Sequence, residues 1–186
     1  MKIDVMNTLA GVLESHPKLK KHVREIADKI VAPAQTIEQG LTTGAVVLPL
    51  KRHLQVDRYS CGAIAAFMIL EYYGKARSCE NVARELGPDE DNGTREEDIK
   101  ALFHKRGMSV STVKSLEGIY HAINRYEAPV LLHVKGDHWA VAYGYSDGSI
   151  FVADPSLKKK ILCRFTNKEF RRSYWRGHWG LSVDSK

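Results

Sequence analysis

Cys61, His138, Asp154 and Gln55 bring together the residue types that nucleophilic acyl transfer needs: a thiol, an imidazole, a carboxylate and a side-chain amide. A thiol attacks a carbonyl well only as the thiolate, and its pKa falls at a helix N-terminus and beside a histidinium. Cys61 stands just before Gly62–Tyr73, a run of strong helix formers. A tight Ser60-Cys61-Gly62 corner would let the backbone approach a substrate closely. Alone, a cysteine beside an apolar helix reads as a small core residue, so the reading depends on a partner. His138 is that partner, at the head of an expected strand, Trp139–Tyr145, and Asp154 ends the next strand. Asp147-Gly148 between them is a hairpin signal, and closing that hairpin brings the two far ends together. The carboxylate then supplies the third group, which fixes the tautomer of the imidazole. Gln55, a little before Cys61, is placed to join the Cys61 N–H in an oxyanion hole.

The elements that must position these residues follow from periodicity. Leu19, Val23, Ile26 and Ile30 predict a helix within a segment ended by Pro33. Ala45–Leu50 reads as a strand. The helix after Cys61 is apolar nearly all round, so it is expected to be central and buried, with Gly74 as its stop. A short helix is expected over Glu80–Leu86, started by Ser78 or Asn81. A loop, Gly87–Gly93, is expected to border the cleft. Thr94 and Glu97 have the spacing of a capping box for the helix carrying Ile99, Leu102 and Phe103, which Gly107 stops. Leu116–Tyr126 reads as a helix with Ser115 as N-cap. Strands are expected at Pro129–Val134, Trp139–Tyr145, Ser149–Ala153, Lys160–Arg164 and Gly180–Val183. Helices first and an antiparallel sheet second predict an α+β fold, with an N-terminal helical extension over 1–45 and one domain over 46–186.

Composition narrows the alternatives. A chain of 186 residues with 44% hydrophobic and 27% charged content has the make-up of a soluble globular protein. It has no apolar run long enough to span a bilayer. The first residues lack a signal-peptide pattern, which makes the cytoplasm the expected location. Cys61, Cys79 and Cys163 are an odd set without metal-ligand spacing, so free thiols are expected, with Cys79 and Cys163 structural. The net charge of +6 is gathered between Lys158 and Arg176, opposite an acidic block from Glu80 to Asp98. Both read as solvated faces, and no nucleic-acid motif accompanies them. The N-terminal helix and the basic C-terminal stretch are the surfaces suited to a protein partner. No metal or other cofactor is expected. His133, Asp137 and His138 alternate along a strand and lack further ligands, and Asp89, Asp91 and Gly93 miss the calcium-loop spacing. Trp175 and Trp179 read as core or cleft-edge aromatics.

Taken together, the chain resembles the double-glycine leader peptidases, papain-like domains that process bacteriocin precursors, and their stand-alone relatives. The resemblance runs over about residues 47–184: Pro49-Leu50, Gln55, Tyr59-Ser60-Cys61-Gly62, Ala65, Tyr72-Tyr73-Gly74, Gly93-Thr94, Pro129-Val130, His138-Trp139, Asp154-Pro155, Phe170, Trp175-Arg176-Gly177 and Leu181. It implies a papain-like fold with Cys61 as nucleophile, His138 as base and acid, Asp154 as orienting carboxylate and Gln55 as oxyanion donor. Tyr59 and Trp139, beside the nucleophile and the base, are then substrate-binding candidates, and the substrate is a peptide or protein cut after Gly-Gly. Ser60 departs from the acidic residue found there in the best-known members, and no exporter segment accompanies the domain. An amidase, deamidase, transglutaminase or acyltransferase would use the same triad, and a non-catalytic peptide-binding domain would keep only the cleft. The N-terminal helix is a candidate cover for that cleft.

Overall fold

A helix that is apolar on every side cannot lie on a surface, and the segment after the corner forms the buried core of the structure. The computed structural model describes residues 44–134, 137–156, 163–177 and 179–185, within a unit spanning Leu41–Lys186. The expected N-terminal extension, its helix included, lies outside the described residues except for its last two positions, as do Lys158–Lys160.

Helix α1 (Cys61–Tyr72) buries every residue from Cys61 to Leu70, and Gly74 turns the chain at a φ of +67°. Helix α2 (Cys79–Leu86) is capped by the Ser78 hydroxyl, which accepts from the Asn81 N–H. Helix α3 (Glu96–Lys105) buries Ile99, Leu102 and Phe103. The Thr94–Glu97 capping box does not form: Arg95 is the N-cap and no side chain bonds there. Thr94 is buried instead, and its carbonyl accepts the Trp139 Nε1–H at 3.1 Å. Tertiary demand for Thr94 overrides the local signal. Helix α4 (Leu116–Tyr126) has the expected cap, with the Ser115 hydroxyl accepting from Gly118 N–H at 3.0 Å.

Strand β1 (Val46–Val47) is shorter than expected: Leu48 N–H still bonds Tyr143 O of β4, and Pro49 then has no N–H to offer. Strand β2 (Ser109–Val113) was not expected at all. It sits at a sheet edge and buries only Val113, so its sequence has no apolar alternation. Strands β3 (Val130–Val134), β4 (His138–Ser146), β5 (Ser149–Ala153), β6 (Cys163–Thr166) and β7 (Gly180–Asp184) complete the sheet. The order is β2-β7-β3-β4-β5-β6, antiparallel throughout, with β1 also paired to β4. One edge of β4 thus serves β3 along its first half and β1 along its second.

Helices α1, α2 and α3 pack on the face that presents Leu131, Val141 and Ala153. Helix α4 covers the other face, which presents Val130, Leu132, Ala140 and Ala142, together with Phe170 and Tyr174 of a π-helical turn, Phe170–Tyr174. With both faces covered, β3 and β5 are apolar runs rather than alternating ones.

Candidate active site

Cys61 is the first residue of α1 and is 5% exposed. The corner before it is held by a residue the sequence reading passed over: Asp57 Oδ1 accepts from Tyr59 N–H at 2.9 Å and from Ser60 N–H at 2.7 Å. An Asp bonding backbone two and three positions on is an Asx-type turn, so spacing alone held the clue. Two further bonds strap this loop to the end of β5, from Gln55 N–H to Pro155 O at 3.1 Å and from Arg52 Nε to Asp154 O at 3.2 Å. Gly62 must be glycine for space. A Cβ there would lie 2.6 Å from Thr94 Cβ and 2.9 Å from Trp139 Cδ1.

The β4–β5 hairpin turns at Asp147-Gly148, where Ser146 pairs with Ser149 and Gly148 has a φ of +70°. Its register puts Val141 opposite Ala153, so Asp154 and His138 lie just beyond, on the same side of the sheet. His138 Nε2 is 2.7 Å from Asp154 Oδ1. With Nε2 so engaged, Nδ1 is the ring nitrogen left to face Cys61, whose sulfur acts on the imidazole. Asp154 is completely buried. Its Oδ1 also accepts from Ser156 N–H at 2.8 Å and Ser156 Oγ at 2.7 Å, and its Oδ2 from Tyr174 OH at 2.6 Å.

These contacts set the charges. Burial disfavours the imidazolium, yet hydrogen bonds to Asp154 and Cys61, with the charges of both, raise the His138 pKa to about 9. Burial likewise opposes ionisation of Asp154, but His138, Tyr174 and Ser156 hold the carboxyl well below the usual range. The arrangement therefore keeps an imidazolium between a carboxylate and a thiol sulfur at neutral pH.

The other candidate residues fall as follows. The Gln55 side chain is nearly buried; its Nε2 donates to Asp57 O at 2.7 Å, and its Oε1 has no hydrogen-bond partner. Tyr59 is partly exposed in the turn before Cys61. Trp139 is only 4% exposed, with its N–H given to Thr94 and its ring against His133 and Trp179. Trp139 braces the start of α1, where its Cδ1 closes the space beside Gly62. Trp175 is buried and Trp179 half-buried. Cys163 is buried in the core and Cys79 is half-buried. Among the described residues, no group of three or more His, Cys, Asp or Glu side chains is placed to hold a metal ion, and no helix is long and apolar enough to cross a membrane.

Comparison with known proteins adds the family. Residues 50–178 match the peptidase C39 family. A lactococcin transport/processing ATP-binding protein, LcnC-like, from Lactococcus lactis is 30% identical over 127 residues, which is 66% of this chain but 17% of that protein. Among solved structures, a double glycine motif protease from an AMS/PCAT transporter, in complex with the leader peptide, superposes with a TM-score of 0.62 at 18% identity, covering 76% of this chain and 95% of that one. The peptidase domain of Streptococcus ComA, a bifunctional ABC transporter of a quorum-sensing pathway, gives 0.59 at 17% identity, covering 74% and 99%. These two likenesses concern the fold, a papain-like mixture of helices and antiparallel sheet. The chain belongs to the peptidase C39 family of cysteine peptidases.

Proposed function

We propose that this chain cleaves a leader peptide after a Gly-Gly pair, with Cys61 as nucleophile, His138 as general base and acid, Asp154 as orienting carboxylate and Gln55 as oxyanion donor. The observation that carries the reading is the position of His138, 2.7 Å from Asp154 and near enough to Cys61 for its sulfur to help raise the imidazole pKa. The Cys61 thiolate attacks the peptide carbonyl, forming a C–S bond and placing charge on the carbonyl oxygen. That oxygen is held by the remaining N–H of the Gln55 amide and by the Cys61 N–H, which the first turn of a helix leaves without an intrahelical acceptor. The His138 imidazolium gives its proton to the leaving amine as the C–N bond breaks. Water, deprotonated by His138, then attacks the thioester and breaks its C–S bond, which releases the acid and restores the thiolate beside the protonated imidazole. The leader peptide bound to the structural relative supports the choice of substrate class.

The test is a set of synthetic peptides carrying Gly-Gly or Ala-Ala ahead of a short cargo, with free amine and free ammonia measured together. Cleavage after the second glycine by the intact chain, absent in Cys61→Ala, is the expected result. Ammonia release from a side-chain amide without chain cleavage would replace peptidase by deamidase.

A further inference from the structure

The buried carboxylate has a second side. Among the described residues, three of the four hydrogen bonds to the Asp154 carboxylate converge on Oδ1, from His138 Nε2 and from the N–H and hydroxyl of Ser156, and the fourth, from Tyr174 OH, goes to Oδ2 at 2.6 Å. Ser156 is local, two residues on from the aspartate. Tyr174 reaches it from a separate element, the π-helical turn Phe170–Tyr174. We propose that Tyr174 is a positioning residue of the active site: its hydroxyl fixes the rotation of the Asp154 carboxylate and thereby aims the His138 ring at Cys61.

The local structure makes this placement specific. Thr166 starts the segment through a reciprocal cap with Glu169, whose N–H bonds Thr166 Oγ1 at 3.2 Å while its carboxylate accepts from the Thr166 N–H at 3.0 Å. The turn that follows widens, with Trp175 N–H reaching back to Phe170 O at 2.7 Å. Such π turns are rare and recur at functional sites. Here the extra residue brings Phe170, Tyr174 and Trp175 all inward. The Tyr174 ring stacks on Phe165 of β6 at 4.4 Å, so it has little freedom to swing away. Burial, and the Asp154 carboxylate after it, push the tyrosine hydroxyl far above its usual range, so it stays a donor through any working pH. The other titratable groups around this cluster are Arg52 from the loop before α1, Cys61 from α1, Tyr143 from β4 and Cys163 from β6.

Without the hydroxyl, Oδ2 becomes a buried acceptor that lacks this donor, and the carboxylate is free to turn toward another one. Turning loosens the Oδ1 bond that raises His138. This rests on the reading of His138 and Asp154 as base and orienter, so the experiment separates the two ideas. The rate of Cys61 alkylation by iodoacetate is followed from pH 5 to 10 in the wild type, Tyr174→Phe and Asp154→Asn. The anionic reagent is drawn to the imidazolium, so its rate falls as His138 loses its proton. In Tyr174→Phe the falling limb is expected to move down by roughly 0.5–1 pH unit, the share of one hydrogen bond, while the ring keeps its place against Phe165. A limb unmoved in Tyr174→Phe but moved in Asp154→Asn overturns the role of Tyr174 alone. A limb unmoved in both overturns the reading of the site. A uniform loss of rate at every pH marks a packing residue and also overturns the proposal.

Discussion

Replacing Gly62 with alanine adds one methyl group at the second residue of α1, between the nucleophile and the wall behind it. Apolar atoms in good contact sit about 3.5–4.0 Å apart, whereas the new carbon would stand 2.6 Å from Thr94 Cβ and 2.9 Å from both Thr94 Oγ1 and Trp139 Cδ1. Neither neighbour is a flexible tip, since Thr94 O and Trp139 Nε1 are joined at 3.1 Å and both side chains are buried. Alanine gains roughly 0.5–1 kcal/mol over glycine within a helix, but overpacking of this kind costs about 1–3 kcal/mol. The net expectation is a loss of about 1–2 kcal/mol, a fall of roughly 2–8 °C in thermal midpoint for a domain of this size. The functional loss should be larger. Gly62 adjoins Cys61 and Trp139 adjoins His138, so the same push separates sulfur from imidazole, and a misplacement near 1 Å lowers rates about 100-fold. The assay pairs a melting curve with the rate of iodoacetamide alkylation of Cys61 near neutral pH. Thr94→Gly in the Gly62→Ala background removes two of the three close contacts and should recover part of both. A Gly62→Ala protein with wild-type midpoint and alkylation rate would refute the argument from space.

Further outcomes follow from individual contacts. The pH profile of kcat/KM should lose its basic limb near pH 9, where His138 gives up its proton; a limb near 6.5 would mean an imidazole without partners. For stability the signs are opposite: the raised His138 stabilises fully below about pH 6.5 and loses that contribution as pH climbs through about 9, while the depressed Asp154 contributes above its unfolded value and loses it on acidification. Melting curves across pH should therefore peak between these limits. Glu127 ends α4 in the left-handed region at a φ of +50°, so Glu127→Gly should raise stability by about 0.5–1 kcal/mol, read as an upward shift of the denaturant midpoint. Ser115→Ala removes the cap on Gly118 N–H and should lower it by about 1 kcal/mol. Cys79, raised by burial and by Glu80 and Glu71, should alkylate more slowly than a free thiol at pH 8, as peptide mapping would show.

What could be read from the chain was whatever local chemistry decides. Gly148 and the paired strands around it located the hairpin and so brought His138 near Asp154, but the one-residue register shift between Ala142 and Gly144, which puts the two on the same face, had no signature in the sequence. The uniform apolarity of α1 announced its burial. Signals failed where distant partners set the outcome. Thr94 had the look of a cap and became a core residue because Trp139 needed its carbonyl. Strand β2 gave no sign of itself, since its partner β7 lies at the other end of the domain and supplies the ladder. Asp57 and Tyr174 act through a turn and a π-helical register, and neither has a periodic signature.

The short span between His138 and Asp154, |i−j| = 16, also bears on the order in which the molecule is made. A hairpin closes a small loop and can form on a timescale of microseconds, whereas α1 must travel from an earlier part of the chain to dock on β4. The hairpin brings the imidazole and its carboxylate together, while sulfur joins them only when the helical layer settles on the sheet. With the triad proposed above, reactivity at Cys61 reports completion of the fold, since the sulfur meets its imidazole only when the last large interface closes.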